Sequence, residues 1–483
     1  MDAVRRIARN IFFQGISELI VKGLQILILI YIARFLRETE FGKFNFAIAF
    51  TTISFILIDI GLQTLFVREL SRKRELADKY IFHGVVIKSV LSLIAFFVVI
   101  FVMNIMAYPK DIRIVIYIMF AFTVLKSFTD AFSSVFLAFE EMQWDGLLKM
   151  LRAILLTALV FFALLNGYGL IVITWMYVIT ELVVLTLCLV VLFTKFIKFV
   201  AKIEKGLIKR LTLEALPFAL TVVFYSLYFY IDSIMLSKMR GVYEVGIYSA
   251  AYNITIAMIF IPNIYITAIF PTLSKFYVKS KESLKFAYKK SLIYMSMVAL
   301  PITAVLIFSS SNIIHFLYGP GYNKSVLVLQ IIAITIFLRF ITFVNAITII
   351  SIDKQKQRLY FQGATALINI VLNLILIPFY GYIGAAIATI ITEIFLFCSY
   401  FLLVIIYLNN WKDIVVLIKP VIATVLASNL FFLMLNTVLK IAIVLITYIA
   451  LLFLLKTFKK EDWNIFKRVL NAAAPKTKFE PIP

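Results

Sequence analysis

Cysteine and histidine are almost missing from this chain of 483 residues, which has two of each: Cys188, Cys398, His83 and His315. Both cysteines lie inside apolar runs, so neither a disulfide framework nor a Cys/His metal site can be built from them. Charge is scarce too, at 15% of residues against 63% hydrophobic, and mean hydropathy is +1.03. A water-soluble chain of this length would need far more polar surface, so the bilayer must be the solvent for most of it. The period-two alternation of a membrane β-barrel is lacking, because the apolar runs are long and continuous. No GxxxxGK[ST] loop occurs and there is no soluble domain to house one, which argues against ATP hydrolysis by this chain.

What is present is a series of about fourteen apolar runs of the length a membrane-spanning helix needs, about 20 residues each. The spacing predicts an all-α membrane protein with helices at 10–34, 43–66, 82–107, 112–139, 147–166, 169–193, 211–238, 244–270, 288–309, 323–350, 358–379, 381–407, 413–435 and 439–457. The first run follows Arg5, Arg6 and Arg9. It is too long for a signal-peptide core and no small-residue cleavage site follows, so it reads as a retained membrane helix.

Lys and Arg set the orientation. Taking the N-terminus and every second loop, 34 of the 47 basic residues fall on one side, 9 on the other and 4 inside helices. The positive-inside rule puts both termini and the loops around 68–79, 195–210 and 275–290 in the cytoplasm. Topology and anionic lipid headgroups thus account for the net charge of +22, with no nucleic-acid partner required. The opposite loops are a dozen residues or fewer, too short for the external domain that a membrane enzyme of glycan assembly usually needs.

The two halves echo one another. Gly42-Lys-Phe-Asn45 and Gly246-Ile-Tyr-Ser249 each open a helix, 204 residues apart, and Phe66 and Phe270 close those helices at the same offset. Tyr168-Gly169 with Thr180-Glu181 matches Tyr380-Gly381 with Thr392-Glu393 at an offset of 212. Six helices per repeat is an even number, so the halves should be related by a pseudo-two-fold along the membrane normal, the architecture of alternating access. The expected organisation is a six-helix lobe at 1–193, a basic cytoplasmic linker at 194–210, a second six-helix lobe at 211–407, helices 13 and 14 at 408–458, and a basic tail at 459–483.

The chain resembles the polysaccharide transporter (Wzx-like) branch of the multidrug/oligosaccharidyl-lipid/polysaccharide flippase superfamily. The segments that carry the resemblance are Tyr230 to Leu236, Val245 to Tyr252, Ile269 to Ser274, Leu317 to Gly319 with Tyr322, and above all Asn369 to Glu393. The resemblance spans essentially the whole chain. It implies a V-shaped pair of lobes in the cell membrane. It also implies movement of a polyprenyl-(di)phosphate-linked oligosaccharide from the cytoplasmic to the outer leaflet, with no catalytic residues. Partners would be the lipid-linked glycan, anionic lipids, and glycan polymerase or glycosyltransferase machinery. A multidrug or metabolite cation antiporter of the same superfamily is the competing expectation.

Ionisable groups at bilayer depth usually face the bundle interior. They are Glu18 and Lys22, Asp59, Lys88, Lys126 and Asp130, Glu181, Asp232, Arg339 and Glu393. Glu18–Lys22 and Lys126–Asp130 are spaced i, i+4 and can neutralise themselves, while Lys88 can snorkel to the surface. Asp232 stands near the outer end of its helix, within reach of water or Lys238, and Glu181 and Glu393 hold equivalent repeat positions that suit packing. Arg339, mid-helix with no acid within one turn, calls for an anion from another helix or from a ligand. Its planar fork suits phosphate oxygens. Arg339, helped by Lys22, Lys126 and Lys88, is therefore the expected headgroup site. Glu18, Asp59, Asp130 and Glu181 are the candidates for coupling to Na+ or H+. Pro217 and Pro262 are candidate hinges, because proline removes a helix hydrogen bond.

Overall fold

The computed structural model describes residues 2–198, 203–408, 415 and 417–457, with backbone alone for 2–16 and 221. The basic tail from 458 onward and part of the cytoplasmic linker lie outside these residues. The described residues are helical, in the order α1 (Asp2–Asp59), α2 (Leu62–Arg72), α3 (Ala77–Ile105), α4 (Lys110–Ala138), α5 (Met142–Leu165), α6 (Leu170–Lys195), α7 (Lys205–Met239) and α8 (Val242–Met258). Then come α9 (Phe260–Lys279), α10 (Lys281–Phe308), α11 (Ser310–Tyr318), α12 (Ser325–Ser351), α13 (Gln355–Leu408), α14 (Ile418–Ser428) and α15 (Thr437–Leu454).

Ten of the described helical stretches are long and apolar enough to cross a bilayer. Two of them are each two crossings joined at one residue. The 54 residues of α13 would run about 80 Å if straight, far beyond a hydrocarbon core of about 30 Å. Gly381 breaks the helix at φ 55, ψ −131, and the freed N–H of Tyr382 donates to Glu244 Oε2 at 2.9 Å. Arg37, at φ 62, breaks α1 in the same way. With α7 and the short apolar stretch Ile418–Phe432, the crossings reach the fourteen expected from sequence.

Three boundaries differ from expectation. The second predicted helix does not run on to 66 but stops at Asp59, where Ile60 (φ 42) and Gly61 (φ 85) turn the chain into α2. A side chain at Gly61 would meet Phe218 Cβ at 2.6 Å and Ala215 O at 2.8 Å, so glycine there also lets α7 approach. The eighth predicted helix divides at Ile259. Pro262 has no N–H for Met258 O and its ring crowds that carbonyl, so the break falls one turn before it. The basic loop at 275–290 is almost wholly helical, with Ser280 alone between α9 and α10. The Ser280 hydroxyl caps α10 by accepting from Ser283 N at 3.2 Å. Pro217 lies in the first arm of α7, a few residues before a 46° bend between 205–220 and 222–239.

The chain forms two compact units: Met1–Met258 with Ile313–Ile332 and Lys356–Leu396, and Ile259–Asn312 with Ala333–Gln355 and the chain from Phe397 onward. In the first, the ends of α2, α3, α4, α6 and α7 bury Leu65, Phe66, Phe136, Val184 and Leu211 in one core. The arm of α1 that follows Arg37 crosses α8 at backbone contact: an added Cβ at Gly42 would lie 1.8 Å from Val242 O, and one at Gly246 2.0 Å from Glu38 O. The repeat offset of 204 maps Gly42 onto Gly246 and Glu38 onto Val242, so the crossing is itself two-fold. In the second unit α10, α14, the turn that follows α14 and α15 pack Met297, Ala423, Phe431 and Tyr448 together, and the Tyr448 hydroxyl donates to Met297 O at 3.0 Å.

Candidate functional site

Two polar clusters lie inside the first unit. The first strings together α1, α3, α4, α5 and α6. Lys88 of α3, fully buried, pairs with Asp59 at the end of α1 and donates to Ser127 O at 3.0 Å. One helical step along α4, Lys126 pairs with Asp130. The Phe55 ring centroid lies 5.9 Å from both ammonium groups, a cation–π spacing that shares one ring between two charges. Next, Arg152 of α5 forks onto Glu181 of α6, Nη2 to Oε1 at 2.8 Å and Nε to Oε2 at 2.7 Å, and Thr129 donates to Glu181 Oε1 at 2.7 Å. Three cations and three acids make the string neutral, as a low-dielectric interior requires. Within it, Lys126 is the cation with substantial exposure, 38% of its side chain.

The second cluster has a different electrostatic character. Asp232 of α7 is buried and accepts three hydrogen bonds, all from uncharged donors. Asn373 Nδ2 reaches Oδ1 at 2.6 Å, and Tyr248 OH and Thr389 Oγ1 each reach Oδ2 at 3.0 Å. Asn373 Nδ2 also donates to Asn369 Oδ1 at 3.0 Å. The Oδ1 atom of Asn373 is buried without a hydrogen-bond partner. An ionised carboxylate in such a place needs a positive charge or a proton. Oxygen-rich, anionic and lacking nitrogen acceptors, the set suits a hard cation or a proton rather than a transition metal. The expectation that Asp232 reaches water or Lys238 is corrected: α7 packs it against α8 and α13, and Lys238 instead donates to Met106 O at 2.7 Å.

The structure places the other expected site residues as follows. Lys88 and Lys126 come together at Phe55. Glu18 is exposed, and the Lys22 amine is at Gln25 Oε1 in its own helix, at 3.4 Å. Glu393 of α13 is fully buried in the first unit, whereas Arg339 of α12 is buried in the second. Of the four expected coupling acids, Glu18 is exposed and Asp59, Asp130 and Glu181 each carry a basic partner, whereas Asp232, which was not among them, is surrounded by neutral donors. Sequence reasoning passed over Arg152, which stands near the start of the predicted helix 147–166 and finds its acid on another helix. It also passed over Asn369 and Asn373 as ligands. Two amides spaced i, i+4 on an otherwise apolar helix were the signal.

The family model described as "Polysaccharide biosynthesis protein" matches residues 7–277, and the MatE model matches 217–375. An uncharacterized membrane protein of Methanocaldococcus jannaschii is 23% identical over 393 residues, 74% of this chain and 77% of that one. A protein of Escherichia coli named "Putative O-antigen transporter" is 28% identical over 183 residues, 38% of this chain and 43% of its own length. Among solved structures, "Lipid II flippase MurJ, inward closed conformation" superposes with a TM-score of 0.73 at 17% identity, covering 95% of this chain and all of that one. An inward-facing multidrug resistance MATE family transporter of the MOP superfamily gives 0.67 at 15% identity, covering 81% and 95%. These likenesses establish a multi-pass membrane fold of the MurJ and MATE kind. With more than half its length matched by the family model, the chain belongs to the polysaccharide biosynthesis protein family.

Proposed function

We propose that this protein is a flippase that moves a polyprenyl-(di)phosphate-linked oligosaccharide from the cytoplasmic to the outer leaflet of the cell membrane. The movement is by alternating access, and it serves the assembly of surface polysaccharide or glycoprotein glycan. Membership of the polysaccharide biosynthesis family over 7–277, on a fold shared with a lipid II flippase, is the observation that carries this reading. The task requires no covalent chemistry, and the polar clusters are of the kind that bind and release ions. Both termini are cytoplasmic in this reading, which follows the distribution of Lys and Arg. The 1–193 and 211–407 lobes then work against one another, with Pro217 and Pro262 beside the bends of α7 and of the α8–α9 pair. Anionic lipids meet the basic loops, and a glycan polymerase or glycosyltransferase supplies or takes the cargo. Deleting the gene should make lipid-linked glycan accumulate in the inner leaflet. Normal surface glycan in the deletion strain would remove the proposal.

The candidates for holding the lipid phosphate are the cations at membrane depth: Lys22 and Lys126 in the first unit and, separately, Arg339 in the second. Arg339→Ala, matched to wild type in membrane abundance, is expected to lose at least about 90% of export, and Arg339→Lys to retain part, because a point charge replaces a bidentate fork. Full export by Arg339→Ala would exclude it from the site. Export of an anion down an inside-negative potential gains roughly 2.3 kcal/mol per charge per 100 mV. Return of the empty carrier is coupled in this reading to Na+ or H+ at Asp232. The MatE match over 217–375 supports a second reading, a cation antiporter; uptake of labelled organic cations, with no effect on lipid-linked glycan, would favour it.

A further inference from the structure

We infer that His83 is a proton-operated clasp, which ties the chain entering α7 to α3 while its ring is neutral and lets it go when the ring is charged. The ring is 1% exposed, in the second turn of α3. Its Nδ1 lies 2.6 Å from Lys79 O, and its Nε2 accepts from the backbone N–H of Glu204 at 2.8 Å. A carbonyl oxygen only accepts, so Nδ1 carries the proton; a backbone N–H only donates, so Nε2 presents its lone pair. These two partners admit one state of the ring, the neutral Nδ1–H tautomer. A second proton, on Nε2, would set N–H against N–H and break the bond to Glu204. Histidine is the side chain whose charge ordinarily changes between pH 5 and 8.

Glu204 is the N-cap of α7, and its own side chain makes no capping hydrogen bond, so the clasp closes on the backbone where that helix begins. Other charges meet here. On α3, Asp78 Oδ1 accepts from Lys198 N at 3.0 Å, and Lys79 Nζ meets Glu204 Oε1 at 3.1 Å. From α2 and α7, Arg68, Glu69, Arg210 and Glu214 act on Tyr80, about one turn before His83. The Lys79 and Glu204 side chains are 49% and 38% exposed, and an ion pair so open to water holds little. Facing a part-buried N–H with another donor costs more, so the ring decides whether this end stays tied. Further along α7, Glu214 is reached by Arg68 at 3.5 Å, and Ala215 and Phe218 pack against Gly61. Release therefore frees the first turns of α7 and leaves the rest of the helix packed. The positive-inside orientation puts this end in the cytoplasm, so the clasp responds to cytoplasmic acidity.

The test is a nitroxide on Lys205→Cys, an exposed position at the start of α7, in the full chain held in lipid nanodiscs. Cys398→Ser is the background, and Cys188 is buried. Between pH 8 and pH 5.5 the ratio of mobile to immobile label should rise at least about fivefold, the worth of one lost hydrogen bond. His83→Gln, whose amide oxygen can accept from Glu204 N but takes up no proton, should stay immobile at both. His83→Ala should be mobile at both. Glu204→Gln should keep the response, which a titrating carboxylate would not allow. Asp232→Asn should keep it too, which separates the clasp from the ion site on the same helix. The spectrum needs no cargo, so its outcome is independent of the glycan reading. A wild-type ratio that ignores pH, a His83→Gln variant that still responds, or a Glu204→Gln or Asp232→Asn variant that does not would each overturn the clasp.

Discussion

Asp232→Asn should abolish ion-dependent transport while leaving the protein folded in the membrane. The substitution keeps the size of the side chain and most of its hydrogen bonds, since the hydroxyls of Tyr248 and Thr389 can reorient and Asn373 can still donate. What it removes is the negative charge. Loss of one partner from a buried, hydrogen-bonded charge pair costs about 2–5 kcal/mol, so affinity for a cation at this site should fall at least about 30-fold. For a proton the variant acts as the permanently neutral form, and the response to pH should vanish with it. The measurement is export of lipid-linked glycan into the outer leaflet of vesicles, with Na+ exchanged for choline and with pH varied on each side. Wild type should respond to one of the two, and Asp232→Asn to neither. Thr389→Ala separates them, because it removes an oxygen ligand for Na+ but leaves the proton acceptor in place. A variant at position 232 with wild-type rates and ion response would end the assignment.

The apolar runs made the helical membrane fold and the approximate number of crossings legible, because burial in lipid demands long uninterrupted segments. The repeat was legible for a related reason. Gly42 and Gly246 stand at matching offsets because two-fold related backbones touch there, although the contact itself is invisible without coordinates. What was not legible follows from the same physics. The ends of helices depend on neighbours, so α5 began earlier than its hydropathy indicated. The basic stretch at 275–290 read as a loop, since charge resembles solvent exposure whether or not the backbone is helical. Pairings across helices are decided by packing alone. Lys126–Asp130 was readable at i, i+4, while Lys88 with Asp59 and Arg152 with Glu181 each join different helices. Asp232 was misjudged because it was weighed as an isolated charge near a helix end. Its neutral neighbours on α8 and α13 are 16 to 157 residues away in the chain.

That distinction between paired and unpaired acids sets up the contrasting behaviour of Lys88. Lys88→Met should destabilise the protein by about 3–5 kcal/mol, because it leaves the Asp59 carboxylate buried without its cation and Ser127 O without its donor. The loss is expected as a lower melting temperature in detergent and as reduced membrane abundance. Asp59→Leu combined with Lys88→Met should recover most of that stability, since replacing both members of a buried pair by apolar groups is often neutral or better. The double variant should also export glycan at close to the wild-type rate, because a fully buried ammonium held by Asp59 and Ser127 has no free face to offer a phosphate. Lys126→Met, by contrast, should leave the fold intact, as its side chain is substantially exposed and Asp130 retains the nearby Arg152 charge, and it should weaken export. If the double variant folds yet fails to export, Lys88 takes part in transport and the division between a structural pair and an accessible cation is wrong. If Lys88→Met alone is as stable as wild type, the buried pair does not hold α1 to α3.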